Sequence, residues 1–430
     1  MAGEEVGLEG LRPMAETYDF VTIGGGAAGF FGAIAFAEAR PGSRVAILEK
    51  TGSVLGKVKI SGGGRCNVTH ACFDPKALIS RYPRGGKSLI GAFHRWGTVD
   101  TVEWFEGRGV ELKTEADGRI FPITDSSQTI INCLSHTAAD VGVEIILRAG
   151  VESLERDERG FQLSLRDGSK MRATTVLVAT GGVRNGAGQQ LLEVFGHEVV
   201  PAAPSLFTFH INDPRIDGLA GLSVDTVTTK VPGTALQSGG PCLVTHWGLS
   251  GPAILKLSAW GARELGERDY EFPLQINWTG TDTLEKIDQR LQEQRERFPK
   301  KQVRNGGEGF GIPSRLWQRF VEVAGIGDTT WTNLTKKERQ GLAELLVDSR
   351  FAVTGKSMNK EEFVTAGGVN LKEVNFKTME SRLVPDLYFA GEVLDIDGIT
   401  GGFNFQSAWT TSKIAGESAA AAPAGLREKL

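Results

Sequence analysis

Gly24-x-Gly26-x-x-Gly29, followed by Glu49 twenty residues after the last glycine, is a spacing that could hold a dinucleotide. In such a pattern Gly24 permits a tight turn, Gly26 lets a pyrophosphate touch the main chain, and Gly29 lets a helix pack closely on a strand. The free N–H groups and positive dipole end of the following helix would face the phosphates. Glu49 would accept hydrogen bonds from the adenosine ribose hydroxyls and repel a 2′-phosphate. By itself this motif leaves NAD and FAD both open.

Four further stretches bear on that choice. Thr175–Gly182 (TVLVATGG) reads as a buried strand ending on small residues, with Ala179, Thr180 and Gly181 at its open end. Asp386–Gly391 (DLYFAG) is a late apolar strand ending in glycine and then the Glu392 carboxylate, placed to meet a ribityl hydroxyl. NAD does not need a second glycine–acid strand so late in a chain; a flavin nucleotide folded across the sheet does. Gly401-Gly402-Phe403-Asn404-Phe405-Gln406 leads into a helix whose first N–H groups could face a flavin's pyrimidine edge. Lys57–His70 (KVKISGGGRCNVTH) carries a triple glycine before Arg65, Cys66 and Asn67, and reads as a tight, polar, ligand-facing loop. The chain's 56 glycines cluster at 24–29, 62–64, 181–188 and 398–402, which suggests one extended ligand touched repeatedly.

Other reactive residue types offer less. Cys66 and Cys72 invite comparison with flavin disulfide reductases, whose two thiols are typically separated by four residues; here five intervene, so both read as packing cysteines. The six histidines are scattered without ligand spacing, so no metal is expected. His70 and His246 are possible acid–base groups.

These residues need elements to position them. Tyr18–Ile23, the glycine turn, a helix over 30–40 and the strand 44–48 form a βαβ unit with parallel strands. Helices are predicted near 88–97, 98–109 and 127–141, a hairpin over 111–122, and strands at 144–147, 151–156, 160–165 and 172–179. From Pro201 to about Asn277 the pattern becomes short alternating β segments, interrupted by a helix with Ser250 as its N-cap and Pro252 in its first turn. Helices are expected over 284–298, 313–324 and 336–348, and one over 407–415. The doubly wound pattern returns at 387–390, so the middle of the chain reads as an insertion. Residues 1–17 are expected to be a flexible N-terminus.

The segments GKVKISGGGRCNVTH, THWGLSGPAIL (245–255), AGGVNLKEVNFKTMES (366–381) and LYFAGEVLDIDGITGGFNFQSAW (387–409) closely resemble the YhiN/BaiN/RdsA-type, aminoacetone oxidase-like flavoproteins, from about residue 18 to 417. The resemblance implies an α/β fold: a glutathione-reductase-like, Rossmann-type FAD-binding domain (18–200 and 361–430) interrupted by an inserted domain (201–360). The insertion would hold a β-barrel (about 201–282 and 350–360) and a small helical subdomain (283–349). Carried over, Gly24, Gly26, Gly29 and Glu49 would hold the ADP half of FAD. Ser61, Gly64 and Arg65, with Gly391, Glu392, Gly402 and Asn404, would surround the pyrophosphate, ribityl chain and flavin. Ala27, Ala28, Lys50, Gly63, Cys66, Asn67, Val151, Ala179, Thr180, Gly181, Gly401 and Phe403 complete the candidate cofactor shell. Gly181–Gly188 departs from the pattern in being a shorter loop.

Bulk properties frame the partners. Lys and Arg total 48 against 52 Asp and Glu, a net charge of −4, which predicts no general attraction to nucleic acid or anionic membrane. Few cysteines, no Cys-x-x-Cys pair and an acidic N-terminus without an apolar core fit a cytoplasmic enzyme. A small-molecule substrate is therefore expected ahead of RNA. The expected reaction is hydride transfer from flavin N5 to an activated C=C bond, with Arg65, Asn67 and His246 as candidate catalytic groups. No second glycine fingerprint is present, so NADH or NADPH would visit only transiently as electron donor. The relatives imply two alternatives, uridine reduction in ribosomal RNA and amine oxidation; a non-enzymatic flavin-binding protein is a third. The RNA alternative needs a basic face, from Arg81, Arg84, Lys87 and Arg95 or from Lys300, Lys301 and Arg304.

Overall fold

A computed structural model of the chain describes residues 17–183, 187–357 and 364–422. Strand β1 (Thr17–Ile23), helix α1 (Ala27–Ala39) and strand β2 (Val45–Glu49) form the expected βαβ unit, with Phe20 opposite Val45 and Ile23 opposite Leu48. The predicted flexible segment otherwise lies outside the described residues, but Thr17 belongs to β1 and pairs with Arg172.

The principal sheet orders its strands 374–375, 380–381, 387–389, 170–178, β1, β2 and 144–147, with the hairpin 151–157/160–165 attached through Lys170–Val178. The four pairings from 387–389 across to 144–147 are parallel. Strands of such a sheet are covered on both faces and read as continuous apolar runs. Phe20, Val21, Ala46, Ile47, Val176, Leu177 and Val178 accordingly have no exposed surface. Helix α1 is apolar all round because it lies between the sheet and the final helix, Phe403–Ala421. Backbones approach closely there: a Cβ on Gly416 would stand 2.4 Å from the Gly32 carbonyl oxygen. The final helix is longer than its predicted 407–415, starting four residues earlier.

The middle of the chain builds a second, antiparallel sheet in the order 349–354, 271–277, 223–230, 237–245, 248–250, 208–210 and 356–357. Its first and last strands are adjacent in sequence, joined through Gly355. Helices Leu284–Arg297, Ser314–Val323 and Lys336–Val347 pack beside it around the buried indoles of Trp278, Trp317 and Trp331. Buried apolar side chains fall into two clusters. One joins residues 20–192 to 369–419, with Ala259; the other runs from Phe207 to Val353. Ser250 does not cap the helix Pro252–Trp260. Gly251 stands at that position, and Ser250 belongs to a strand where its hydroxyl accepts from Thr208 Oγ1 at 2.9 Å. Strand pairing won over local capping preference.

Candidate active site

Three glycines of the first turn do three different jobs. Gly24 has φ +118°, and a Cβ there would meet the Ala179 carbonyl oxygen at 2.4 Å. A Cβ on Gly29 would stand 1.9 Å from the Gly24 oxygen, so α1 can begin there only without a side chain. Gly26, the N-cap of α1, has extended backbone and no side-chain cap, and a Cβ there would meet nothing within 4 Å. The first two close on protein; the third opens on space beside unsatisfied helix N–H groups, the arrangement an anionic phosphate fits. Glu49 ends β2 beside this turn, its carboxylate accepting from the Gly25 N–H (2.9 Å) and the Thr51 N–H (2.8 Å).

The distant half of the chain returns to this point. Leu387–Phe389 lies parallel to Lys170–Val178, and the Ala390 N–H donates to the Val178 oxygen at 3.2 Å. Gly391, at φ +74°, sits between α1 and the final helix: its Cβ would be 2.9 Å from Ala28 and 3.7 Å from Ala408. The Gly391 N–H donates to Thr411 Oγ1 at 3.0 Å. Glu392 is drawn into the protein, where its carboxylate accepts from the Thr365 N–H (2.8 Å) and pairs with Lys57. Gly181 and Gly182 border the same carboxylate.

Sequence reading takes Lys57–His70 as a loop, yet most of its first half is helical. Gly56–Gly64 forms a helix kinked at Ser61, with Gly62 and Gly63 left-handed. Cβ atoms on Gly63 and Gly64 would meet nothing within 4 Å, so this bend also presents bare backbone to open space. The next residues turn inward. Arg65 stacks on Phe121 at 4.0 Å and pairs with Glu115 (2.6 Å) and Asp125 (3.4 Å). Asn67 is buried; its amide accepts from the Gly402 N–H (3.0 Å) and donates to the oxygens of Thr69 (2.8 Å) and Ile120 (3.2 Å). It thereby fixes the start of the final helix, where Gly402 is an N-cap at φ +88° with no side-chain cap. Asn404 holds the preceding turn through both Gly398 N–H (2.8 Å) and Gly398 O (2.9 Å). His70 stacks on Phe403 at 4.8 Å, with Gly401 against its edge.

Not every candidate joins this assembly. His246 is exposed and lines a cleft of about 590 Å³ in the second sheet, with His210, Asp213, Asp217 and Trp247; none of the cradle glycines lines it. Val151 is a buried residue at the start of its strand, and Lys50 is exposed just past β2. The departing loop 181–188 falls partly outside the described residues.

The cysteines are packing groups. Cys66 is fully buried and burial pushes its thiol up to about 12; Cys242 is likewise buried and pushed up to about 12. All four are free thiols. Because the thiolate is the nucleophile, mildly alkaline iodoacetamide is expected to spare Cys66 and Cys242 in the native protein and label both after denaturation. Native labelling of Cys66, read by peptide mass spectrometry, would contradict this. No cluster of potential metal ligands occurs among the described residues, and no helix there is long and apolar enough to cross a membrane.

Two helix starts without side-chain caps, one from each end of the chain, and a glycine bend open to space fit a Rossmann-type FAD-binding oxidoreductase. The chain belongs to the HI0933-like Rossmann family of YhiN/BaiN/RdsA-type flavoproteins, whose model matches residues 18–418. It is 34% identical to the ribosomal RNA dihydrouridine synthase of Escherichia coli, over 92% of this chain and 96% of that one. The synthase of Haemophilus influenzae is 28% identical (93% and 98% covered). A 3-dehydro-bile acid delta(4,6)-reductase of Clostridium scindens is 27% identical (93% and 98%). Among solved structures, a 3-ketosteroid delta1-dehydrogenase from Sterolibacterium denitrificans shares the fold at TM-score 0.51 and 12% identity, covering 94% of this chain and 99% of its own.

These relatives correct the expectation that a small molecule outranks RNA as substrate, since two of them are ribosomal RNA enzymes, including the 34% match. The error lay in arguing from net charge, which averages over a whole surface, whereas a nucleic acid meets local cations. The two suggested basic clusters also prove uneven. Arg84, Arg95 and Arg304 pair with Asp397, Glu417 and Asp328, while Arg81, Lys87, Lys300 and Lys301 make no ion pair among the described residues.

Proposed function

We propose that this protein reduces a uridine of ribosomal RNA to dihydrouridine, with FAD as resident cofactor and NADH or NADPH as the donor that recharges it. The observation carrying this reading is the 34% identity, over nearly the whole of both chains, to a ribosomal RNA dihydrouridine synthase. When bound, FAD supplies a hydride from N5. The balanced change adds that hydride to one carbon of the uracil C5=C6 bond and a proton to its neighbour, so a positioned proton donor is required.

In this reading the chain's own groups bind and orient. The N–H groups at Gly26–Gly29 take the pyrophosphate and Glu49 the adenosine ribose. Ser61, Gly63 and Gly64 line the ribityl chain, with Ala179–Gly181 and Gly391 opposite, while Cys66 packs behind the bend. The start of the final helix, Gly401–Asn404, meets the pyrimidine edge, where its dipole favours negative charge on the reduced ring. Arg65 and Asn67 act as positioning residues that anchor the 61–70 segment. The division into an FAD-binding domain (18–200 and 361–430) and an inserted barrel with a helical part (201–360) is supported by the two separate hydrophobic clusters. The adjacency of Ser349–Thr354 and Lys356–Ser357 at opposite ends of one sheet is what a closed barrel requires.

The test uses FAD-loaded protein, each nicotinamide in turn, and ribosomal RNA from a strain lacking the gene. Nucleoside mass spectrometry should reveal new dihydrouridine. RNA returned unmodified, while a nicotinamide bleaches the flavin, would refute the reading.

A further inference from the structure

The hairpin tip at 245–248 carries two large ring side chains where the turn has no need of them. Thr245 pairs with Gly248, so His246 and Trp247 are the whole of a two-residue connection. Such turns favour Asn-Gly or Asp-Gly, which accept left-handed φ; neither His246 nor Trp247 is left-handed. The tip is pinned all the same. The Trp247 N–H donates to Thr245 Oγ1 (3.3 Å), and its carbonyl oxygen accepts from the Ile211 N–H (2.9 Å). Thr245 Oγ1 in turn donates to the Gly248 oxygen (3.2 Å), and a Cβ on Gly248 would meet the Phe209 oxygen at 2.3 Å. The indole mounted on this frame is 64% exposed. A lone apolar side chain on a surface needs no explanation, but this one lines the cleft of about 590 Å³.

The rest of the lining is polar. The His210 ring lies 6.2 Å from the indole at 30°, and its buried Nε2 has no hydrogen-bond partner among the described residues. Arg215 offsets the charge of Asp213, donating to both carboxylate oxygens (2.8 and 2.7 Å), whereas exposed Asp217 makes no ion pair among the described residues. Beside Asp217, the Gly218 carbonyl oxygen accepts from Arg315 Nη2 at 2.9 Å, and a Cβ on Gly218 would stand 3.7 Å from Arg319 Nη2. Both arginines belong to the helix Ser314–Val323. Arg319 pairs loosely with Glu322 (3.8 Å), and exposed Arg315 has no carboxylate partner among the described residues.

Each feature suits one part of a nucleotide. A firmly held indole offers its face to a base. The Asp217 carboxylate repels a phosphate and only accepts hydrogen bonds, so it suits the amino group of adenine or cytosine better than the O4 of uracil. Arg315 and Arg319 stand where a backbone phosphate left outside the cleft would be met.

We propose that this cleft takes an amino-bearing base of single-stranded RNA, stacked on Trp247, with its phosphate at Arg315 and Arg319. That the strand is the ribosomal substrate rests on the function proposed above; the base site itself does not. The strand Thr208–His210 joins the cleft to the flavin side of the molecule. Ser205 donates to Asp397, four residues before Gly401, and five residues of chain carry His210 no more than about 18 Å from Ser205. The base held in the cleft is therefore a neighbour along the strand, and the uridine being reduced lies elsewhere on it.

The test uses FAD-loaded protein with short single strands of oligoadenylate and oligouridylate, bound over a range of salt. Oligoadenylate should bind the more tightly, and D217N should narrow the difference. W247A should weaken oligoadenylate about tenfold, the scale of one lost base stack, and leave the slope of log K against log salt unchanged. W247F should retain most of the affinity. R315Q should instead flatten that slope by about 0.7, one phosphate contact on a single strand. Oligoadenylate held equally by W247A and the unmodified protein, or by neither, would overturn the site. NADH competing with oligoadenylate for Trp247 would overturn the assignment to RNA and give the cleft to the donor nucleotide. The function proposed above fails separately: protein that binds in the expected way yet forms no dihydrouridine would refute that function and leave the base site supported.

Discussion

Replacing Gly26 with Asp is expected to give a folded protein that no longer retains flavin. The site tolerates the side chain: a Cβ meets nothing within 4 Å, and the backbone, at φ −92° and ψ −172°, is one any residue adopts. Asp is a better N-cap than Gly by a few tenths of a kcal/mol, so α1 should be no less stable. A carboxylate about 4 Å from a phosphate, however, costs on the order of 4 kcal/mol at an effective dielectric of 20, or about a thousandfold in affinity. Gly29→Ala should behave in the opposite way, because its Cβ would stand 1.9 Å from the Gly24 oxygen and the turn itself must break. Circular dichroism and flavin content separate the two outcomes. Full flavin occupancy in G26D would show that the open face of this turn does not meet a phosphate.

The second large effect is expected at Asp397. This carboxylate has no exposed surface; it pairs with Arg84 through both oxygens and accepts from Ser205 Oγ. Arg84 also donates to the Ala259 oxygen at 2.8 Å. One ion pair thus joins the 80s segment, the late segment before the final helix, the entry to the second sheet and the helix Pro252–Trp260. Asp397→Ala leaves the Arg84 guanidinium mostly buried and uncompensated, a change that costs about 3–5 kcal/mol. With about 2.1 cal/mol/K of unfolding entropy per residue, a chain of 430 residues loses about 1 °C per kcal/mol, so the melting temperature should fall by roughly 4 °C. Removing both charges, as in R84M/D397L, should recover most of that loss, since desolvation of the pair offsets much of its attraction. A single variant that melts with the unmodified protein would show that the pair bears no structural load.

Much of the frame is legible in the sequence because it is local. The βαβ unit, the hairpin at 111–122, the helix at 127–140 and the three helices beyond 283 follow periodicity and caps within a few residues. The late strand is legible as apolar and glycine-ended, and its return to Gly24 follows from needing a parallel neighbour. What escapes is set by contacts far apart in the chain. Glu392 reads as a carboxylate placed to meet a ribityl hydroxyl; its engagement by Lys57 and the Thr365 N–H is not legible there. Asn67 reads as a pocket group, but hydrogen bonds to Gly402, Thr69 and Ile120 make it a brace. Ser250 looks like a helix cap and becomes a strand residue because it pairs with Leu243 and its neighbour Leu249 with Phe209.

The central claim is that one FAD is held jointly by the two ends of the chain. Hydrogen exchange of backbone amides, compared between flavin-free and FAD-loaded protein, tests it directly. Added FAD should slow exchange at 25–29 and at 401–406 together, with the same dependence on FAD concentration. Protection confined to one of these stretches, or found at neither, would contradict the account.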